Sequence, residues 1–272
     1  MKVTLSKYAG FCDGVNRAYE KVREIALDPR VKKPIFVLGS LVHNNDVIKK
    51  IEKLGVKKID FNGSISEVVD KLNGEIGTLV ITAHGIGPKI FEIAKEKGIN
   101  VVDTTCPKVI KAQRLAKVQG IYRWADKKAQ IISSVEDVEN LDIKDNQKIA
   151  VVSQTTQNKD FVDRVTEKII ARYPEAEILD TVCLTTKNRQ EEVAQLAREN
   201  DLVFVVGSAE SSNSNRLWEI AKNINNNTHF IERLADIKEE WLENIECVGI
   251  TGGASSPQWV IKDVVKYLER LN

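Results

Sequence analysis

This chain is poor in the residues from which most metal and redox motifs are built. Four cysteines and three histidines are spread over 272 residues, and no two cysteines form a C-x-x-C pair. That excludes the usual zinc-ribbon and thioredoxin arrangements. Charge of one sign is also lacking: 40 Lys and Arg face 39 Asp and Glu. No net field draws in nucleic acid or an anionic membrane, so any bound anion must be held by local donors. Long apolar runs are absent, and Met1 to Tyr8 has none of the character of a secretion signal. The expected location is therefore the cytoplasm, where the cysteines are not expected to pair as disulfides. Neither Walker A nor G-x-G-x-x-G occurs, so nucleotide binding is not indicated.

What the chain does have is alternation. With 42% hydrophobic and 29% charged residues it has the balance of an ordinary globular protein. Apolar runs and helical patterns succeed one another from end to end, which predicts an α/β protein with mostly parallel strands. Strands are expected at 3–8, 34–39, 78–83, 100–104, 129–133, 148–153, 176–180, 202–207, 228–232 and 247–251. Helices are expected at 15–27, 45–54, 65–72, 88–97, 107–118, 158–173, 186–199, 213–224, 235–245 and 257–270. Val162, Val165 and Ile169, and then Val260, Ile261, Val264, Val265 and Leu268, recur at helical spacing and read as core. No Pro/Gly/Ser-rich linker divides the chain.

Three cysteines share one context. Asn100-Val-Val-Asp-Thr-Thr-Cys106 and Glu177-Ile-Leu-Asp-Thr-Val-Cys183 each end a strand-like run before a long amphipathic stretch, and Cys12 in Gly10-Phe-Cys12-Asp lies between a strand and a helix as well. The first pair is separated by 77 residues, and Cys12 precedes Cys106 by 94. These intervals point to three similar lobes, each offering one thiol from a strand end, where ligands of open α/β sheets bind. Thiolates at helix N-termini gain from the dipole and the free N–H groups. Pro107 suits the first helical position, with Cys106 as its cap. Three thiolates without a fourth point to an iron–sulfur cluster with one iron left open; a zinc site of three Cys and one His is the rival reading. Cys247 reads as a small apolar strand residue.

His43 and His84 also stand at strand ends, whereas His229 lies inside a strand-like run. Ser208 to Asn215 follows a strand and opens a helix with more cap-type residues than one cap needs. Hydroxyls, amides and helix-terminal N–H groups together make an uncharged site for phosphate or diphosphate. Val152-Ser-Gln-Thr-Thr156 and Ile250-Thr-Gly-Gly-Ala-Ser255 end alike.

In order along nearly the whole chain, these phrases resemble the family of 4-hydroxy-3-methylbut-2-enyl diphosphate reductases. The matching segments are Gly10–Ala18, Leu41–Asn44, Ala83–Gly85, Asp103–Pro107, Ser153–Thr156, Asp180–Cys183 with Thr186–Gln190, Gly207–Leu217 and Val248–Ser255. The resemblance implies a pseudo-threefold α/β trefoil of three lobes, 14–102, 103–179 and 180–272 with 1–13, around a central cluster cavity. It implies a [4Fe–4S] cluster held by Cys12, Cys106 and Cys183, with its apical iron open to substrate. His43, His84, Ser211, Ser212, Asn213 and Ser255 would hold the diphosphate, and Thr155 would lie by the substrate hydroxyl. The implied reaction is reductive dehydroxylation of the allylic diphosphate, fed by a ferredoxin- or flavodoxin-type donor, with no nucleic acid or membrane involved.

The chain departs from the family at one place. Leu115-Ala-Lys-Val118-Gln119-Gly-Ile-Tyr-Arg123 lacks the family's His-Pro-Glu-Val segment, whose His binds diphosphate and whose Glu relays a proton. Roughly twenty residues, about one βα unit, are missing between Val118 and Gln119. Asp126 and Glu136 are expected to be solvated rather than substitutes. The expectation is that the encoded chain holds a segment absent from these 272 residues. A true deletion would instead leave an impaired diphosphate-binding module or a zinc-bound scaffold.

Overall fold

A computed structural model describes residues 1–60, 76–119, 130–143 and 149–271, the side chains of 115–119 excepted. The expected helix 65–72 lies outside these residues, as do Asp126 and one end each of the expected strands 129–133 and 148–153. The chain divides into two compact units: residues 1–106 with 188–272, and residues 107–187.

The first unit contains two parallel four-stranded sheets. One has the order β1 (Lys2–Leu5), β10 (Cys247–Gly252), β8 (Leu202–Val206), β9 (Thr228–Ile231). The other runs β3 (Val56–Ile59), β2 (Ile35–Leu38), β4 (Thr78–Ile81), β5 (Asn100–Asp103). All five residues of β8 are buried, as expected of a central parallel strand covered on both faces. α1 (Asp13–Leu27) buries Val15, Ala18, Tyr19, Val22 and Ile25 at helical spacing against Ile35, Val37 and Val80. α8 (Gln258–Arg270) buries Val260, Ile261, Val264 and Leu268 against β8 and β10, as the sequence predicts. Each such side chain contributes about 1.5–3 kcal/mol.

α2 (Asn45–Glu52), α3 (Lys89–Glu96) and α7 (Ser212–Ile224) complete the first unit's helices among the described residues, with the later part of α6 (Leu184–Glu199). The second unit contains the parallel pair β6 (Ala150–Val152) and β7 (Glu177–Leu179), with α4 (Pro107–Gln119), α5 (Lys159–Arg172) and a short 3-10 helix at Glu136–Asn140. Val138, Val165 and Ile169 form its core. Among the described residues, no helix is long and apolar enough to cross a membrane.

Three expectations fail. β3 falls where no strand is expected: Val56-Lys57-Lys58-Ile59 is a four-residue edge strand whose lysines face solvent, a common protection of exposed edges. No strand forms over 130–133, because the Ser133 and Ser134 N–H groups donate to the Asp137 carboxylate instead of a ladder. The expected helix 235–245 is replaced by two 3-10 turns, Leu234–Asp236 and Glu239–Leu242. There the Trp241 ring stacks on His229 with centroids 3.8 Å apart, and packing overrides helix propensity.

The loop from β1 to α1, which carries Cys12, is pinned by polar contacts, of which those of Arg189 are buried. Arg189 of α6, only 3% exposed, donates to the carbonyls of Gly10 and Gly252, each at 2.7 Å. The Glu192 carboxylate accepts from the Lys7 N–H (2.6 Å), the Tyr8 N–H (3.2 Å) and the Ser6 hydroxyl. Gln258 donates to the Ala9 carbonyl at 2.9 Å. Replacing Arg189 by Leu leaves two buried carbonyls without their donor and should cost about 3 kcal/mol. A urea unfolding series should show this as a lower midpoint, and an unchanged midpoint would count against the pin.

Candidate functional site

Every residue proposed for chemistry stands where a strand ends or a helix begins. Cys12 is the N-cap of α1, half-buried, with its N–H donating to the Ala254 carbonyl at 3.3 Å and its own carbonyl accepting from Asn16 at 2.8 Å. Cys106 follows β5 and precedes Pro107 at the start of α4, as expected; its N–H donates to the Ala83 carbonyl at 3.0 Å. The Asp103 carboxylate accepts from the Thr105 N–H and hydroxyl, folding the strand end into a tight turn. Arg17 of α1 donates to the Thr105 carbonyl at 2.6 Å. A Cβ on Gly14 would stand 2.6 Å from the Cys106 sulfur, so the thiol rests on the first turn of α1, the helix that Cys12 caps. Glycine is required there by close approach.

Cys183 belongs to the second unit, where its N–H donates to the Thr155 carbonyl at 2.8 Å. Burial pushes the Cys183 thiol up. Hydrogen bonds from the Thr185 hydroxyl and the Thr186 and Thr185 N–H groups outweigh this and, with Lys108 nearby, hold its pKa below the ordinary value. Lys108 donates to the Thr185 hydroxyl at 3.1 Å. This thiol is prepared to be a thiolate at a helix N-terminus. Cys247 opens β10, its N–H on the Asp201 carboxylate at 2.8 Å, in the structural role expected of it. Among the described residues, no group of three or more His, Cys, Asp and Glu is gathered as a metal ion needs, and this holds for Cys12, Cys106 and Cys183 as well.

The polar candidates of the first unit do come together. His43, just before the Asn44 cap of α2, and His84, beyond β4, have ring centroids 5.6 Å apart. His43 Nδ1 lies 3.3 Å from a carboxylate oxygen of Glu210, which directly precedes the serine run. That run begins α7: Ser211 is its N-cap, accepting from the Ser214 N–H at 3.4 Å, and the Ser255 hydroxyl donates to Ser211 Oγ at 3.0 Å. Ser211, Asn213 and Ser255 are buried. The side-chain Nδ2 of Asn213 is buried without a hydrogen-bond partner among the described residues, as are Ser214 Oγ and Thr251 Oγ1. Buried amides are almost always paired, so a donor left open at a helix N-terminus fits an anion. Gly207 and Gly253 allow this packing, since a Cβ on either would fall within 2.5 Å of the Ser214 side chain.

Burial pushes the His84 pKa below its ordinary value of 6.5, and the charge of nearby His43 adds to the effect. The residue is surrounded by protein yet keeps a solvent-exposed face, and that face limits the shift. The neutral imidazole is therefore the form favoured without ligand. Its stabilising contribution is present above pH 6.5 and lost as pH falls through the depressed pKa. An anion bound against the ring would reverse the preference.

Of the remaining candidates, Thr155 is half-buried beside Cys183, and Ser212 is the exposed first residue of α7. Glu136 is exposed on its 3-10 turn, as expected. Sequence reasoning missed the roles of Arg189 and Glu192; Thr186–Gln190 stands out as a motif, but nothing in it signals that its arginine holds another loop.

A profile described as LytB protein matches residues 3–118 and 116–269. The chain is 36% identical to 4-hydroxy-3-methylbut-2-enyl diphosphate reductase of Symbiobacterium thermophilum, over 97% of this chain and 95% of the relative. It is 35% identical to that of Pelobacter propionicus, over 100% and 99%. A solved reductase structure from Plasmodium falciparum superposes with a TM-score of 0.87 at 31% identity, covering 98% of this chain and 87% of that one. A second structure, of the reductase described as the terminal enzyme of the non-mevalonate pathway, gives 0.67 at 28% identity, covering 99% and 100%. The alignment with the Pelobacter relative runs to 291 positions although this chain has 272 residues, so that relative carries residues without counterparts here. The two profile matches meet at 116–118.

Inorganic diphosphate should bind with proton uptake, its affinity rising as pH falls from about 8 towards 6. Calorimetric titration of the wild type and of His84→Asn separates this from the ligand's own protonation, which is common to both. A shallower slope in the variant is expected; identical slopes would contradict the role of His84.

Proposed function

Because this chain belongs to the LytB protein family, we propose that it reduces (E)-4-hydroxy-3-methylbut-2-enyl diphosphate to isopentenyl and dimethylallyl diphosphates. Two electrons and two protons enter, the allylic C–O bond breaks, and the hydroxyl leaves as water. The observation that carries the reading is the open Asn213 amide beside Ser211 and Ser255, with the His43–His84 pair close by. This donor set suits a diphosphate: hydroxyls, an amide, helix-terminal N–H groups and imidazole N–H groups supply hydrogen bonds.

The three strand-end cysteines fit a thiolate-held cluster. Each precedes a helix, Cys183 has a depressed pKa, and Cys106 rests on the helix that Cys12 caps. We assign Cys12, Cys106 and Cys183 as ligands of one [4Fe–4S] cluster, which when bound supplies electrons and a Lewis-acidic iron open to the substrate's oxygen. This assignment includes the three-lobed trefoil with lobes 14–102, 103–179 and 180–272 with 1–13. Support also comes from chain connectivity, since α6 follows Cys183 directly and from Asn188 onward supplies the residues that pin the Cys12 loop.

His43, His84, Ser211, Ser212, Asn213 and Ser255 bind the diphosphate and fix the allylic end in place, which removes orientational entropy from the chemical step. Thr155, tied through its carbonyl to Cys183, offers a hydroxyl to the substrate's departing group. Two electrons come one at a time from a ferredoxin- or flavodoxin-type carrier. At the proton relay the chain departs from the family. The family's His-Pro-Glu-Val segment has no counterpart at the 116–118 junction, and loss of a general acid typically costs ~10²–10⁴-fold in rate.

Anaerobically purified protein with dithionite should convert the substrate slowly to both products, detected by mass spectrometry. Cys106→Ser should remove the brown visible absorption together with turnover. Asn213→Ala should raise KM about tenfold, the loss of roughly one charge-assisted hydrogen bond. Grafting the His-Pro-Glu-Val segment from a relative between Val118 and Gln119 should raise kcat. No turnover in either the native or the grafted protein, with the chromophore intact, would refute the proposal.

A further inference from the structure

Five lysines crowd one stretch of the first unit. Lys49, Lys50 and Lys53 lie on or just after the last turn of α2, and Lys57 and Lys58 on β3; all five are exposed. Lys58 pairs with Asp60 at 2.8 Å, whereas the other four have no carboxylate in salt-bridge range among the described residues. In a chain of net charge +1 this is a local concentration of positive potential, with Glu52 as the one carboxylate inside it. An unpaired lysine patch is usually only a solvated surface. Here it is joined to the interior by a second feature.

Lys50 Nζ lies 3.6 Å above the ring of Trp259, in cation–π contact. Trp259 packs on Phe11 at 6.0 Å and on Tyr19 at 5.9 Å, and Phe11 and Tyr19 meet at 5.7 Å. The three rings form a continuous aromatic group, and Phe11 is bonded directly to Cys12. Trp259 packs against two of the unit's apolar cores, and its indole N–H is buried without a partner among the described residues. Packing rather than hydrogen bonding therefore places this ring. Arg23 lies over Tyr19 at 5.7 Å, but its charge is already paired with Glu20.

We propose that the lysine edge of α2 and β3, with Trp259 beneath it, is where an acidic electron-carrier protein docks and electrons enter. This assignment rests on the reductase reading and names the surface that reading requires. Charge complementarity selects the partner: an acidic face is steered to unpaired lysines, which raises encounter rates more than final affinity. Electron-transfer complexes are typically small and transient, so a helix turn and an edge strand provide enough surface. Tunnelling falls off less steeply through packed and bonded atoms than across gaps. The rings of Trp259 and Phe11, then the backbone to Cys12, make such a route inward. Each encounter oxidises one carrier by one electron, and two encounters supply the pair that the C–O cleavage consumes.

The probe is an acidic [2Fe–2S] ferredoxin, titrated against the cluster-loaded protein at low ionic strength. Charge reversal in the triple variant Lys49→Glu, Lys50→Glu, Lys53→Glu should raise Kd at least tenfold and abolish its dependence on salt. Reduction by dithionite, which needs no docking, should proceed at the wild-type rate. Lys49→Gln with Lys53→Gln, which leaves Lys50 on its ring, should give a smaller rise and covers a folding failure of the triple variant. Trp259→Leu should slow reduction at saturating ferredoxin without changing Kd. An unchanged Kd in the lysine variants overturns the surface, and so does an equal loss of the dithionite reaction. An unchanged rate in Trp259→Leu overturns the route. A colourless protein that still binds ferredoxin through these lysines would sink the reductase reading and leave the surface standing.

Discussion

Parallel strand pairing is the constraint on which everything else in this chain depends. Every described strand pair is parallel. Parallel neighbours need a crossover, here mostly a helix, so strand ends and helix starts collect along one edge of each sheet. Backbone N–H groups left open by the first turn of each helix point away from that edge. A chain so arranged can hold thiolates and anions with few charged side chains, and the proposed diphosphate site of this nearly neutral protein draws on that arrangement.

The edge is useful only if its loops stay in place, and the chain achieves this with buried polar anchors and missing side chains. Arg189 joins the carbonyls of Gly10 and Gly252, and Glu192 gathers the Ser6, Lys7 and Tyr8 donors. Gly14, Gly207 and Gly253 let helices approach more closely than any Cβ would permit. The cost of burying a guanidinium is offset by two short hydrogen bonds to carbonyls. Two of the buried atoms without a partner among the described residues, Asn213 Nδ2 and Ser214 Oγ, lie at the proposed diphosphate cup.

The sheets and most helices are legible in the sequence because their signals are local. The apolar runs of β2, β4, β8 and β10 and the stripe Val260 to Leu268 each need only a few neighbours to read. The repeated Asp-Thr-x-Cys phrase is equally plain, and by itself it puts Cys106 and Cys183 at strand-to-helix junctions. The failures are decided by distant partners. Val56 to Ile59 becomes a strand because β2 offers it an edge, and residues 235–245 forgo a helix because His229 draws Trp241 into a stack. Arg189 and Glu192 are invisible as anchors because their acceptors and donors lie between 63 and 186 residues away. The grouping of His43 with His84 and the serine cup follows only from family resemblance. Its open amide has no signature in the sequence at all.

The central claim is that the thiols of Cys12, Cys106 and Cys183 hold one cluster with an iron they do not ligate. Mössbauer spectroscopy of iron-57-enriched protein, purified without oxygen, tests this directly. The account predicts one iron environment distinct from the other three, shifting when the allylic diphosphate is added. Four equivalent irons that ignore the substrate, or a protein holding zinc in place of iron, would contradict it.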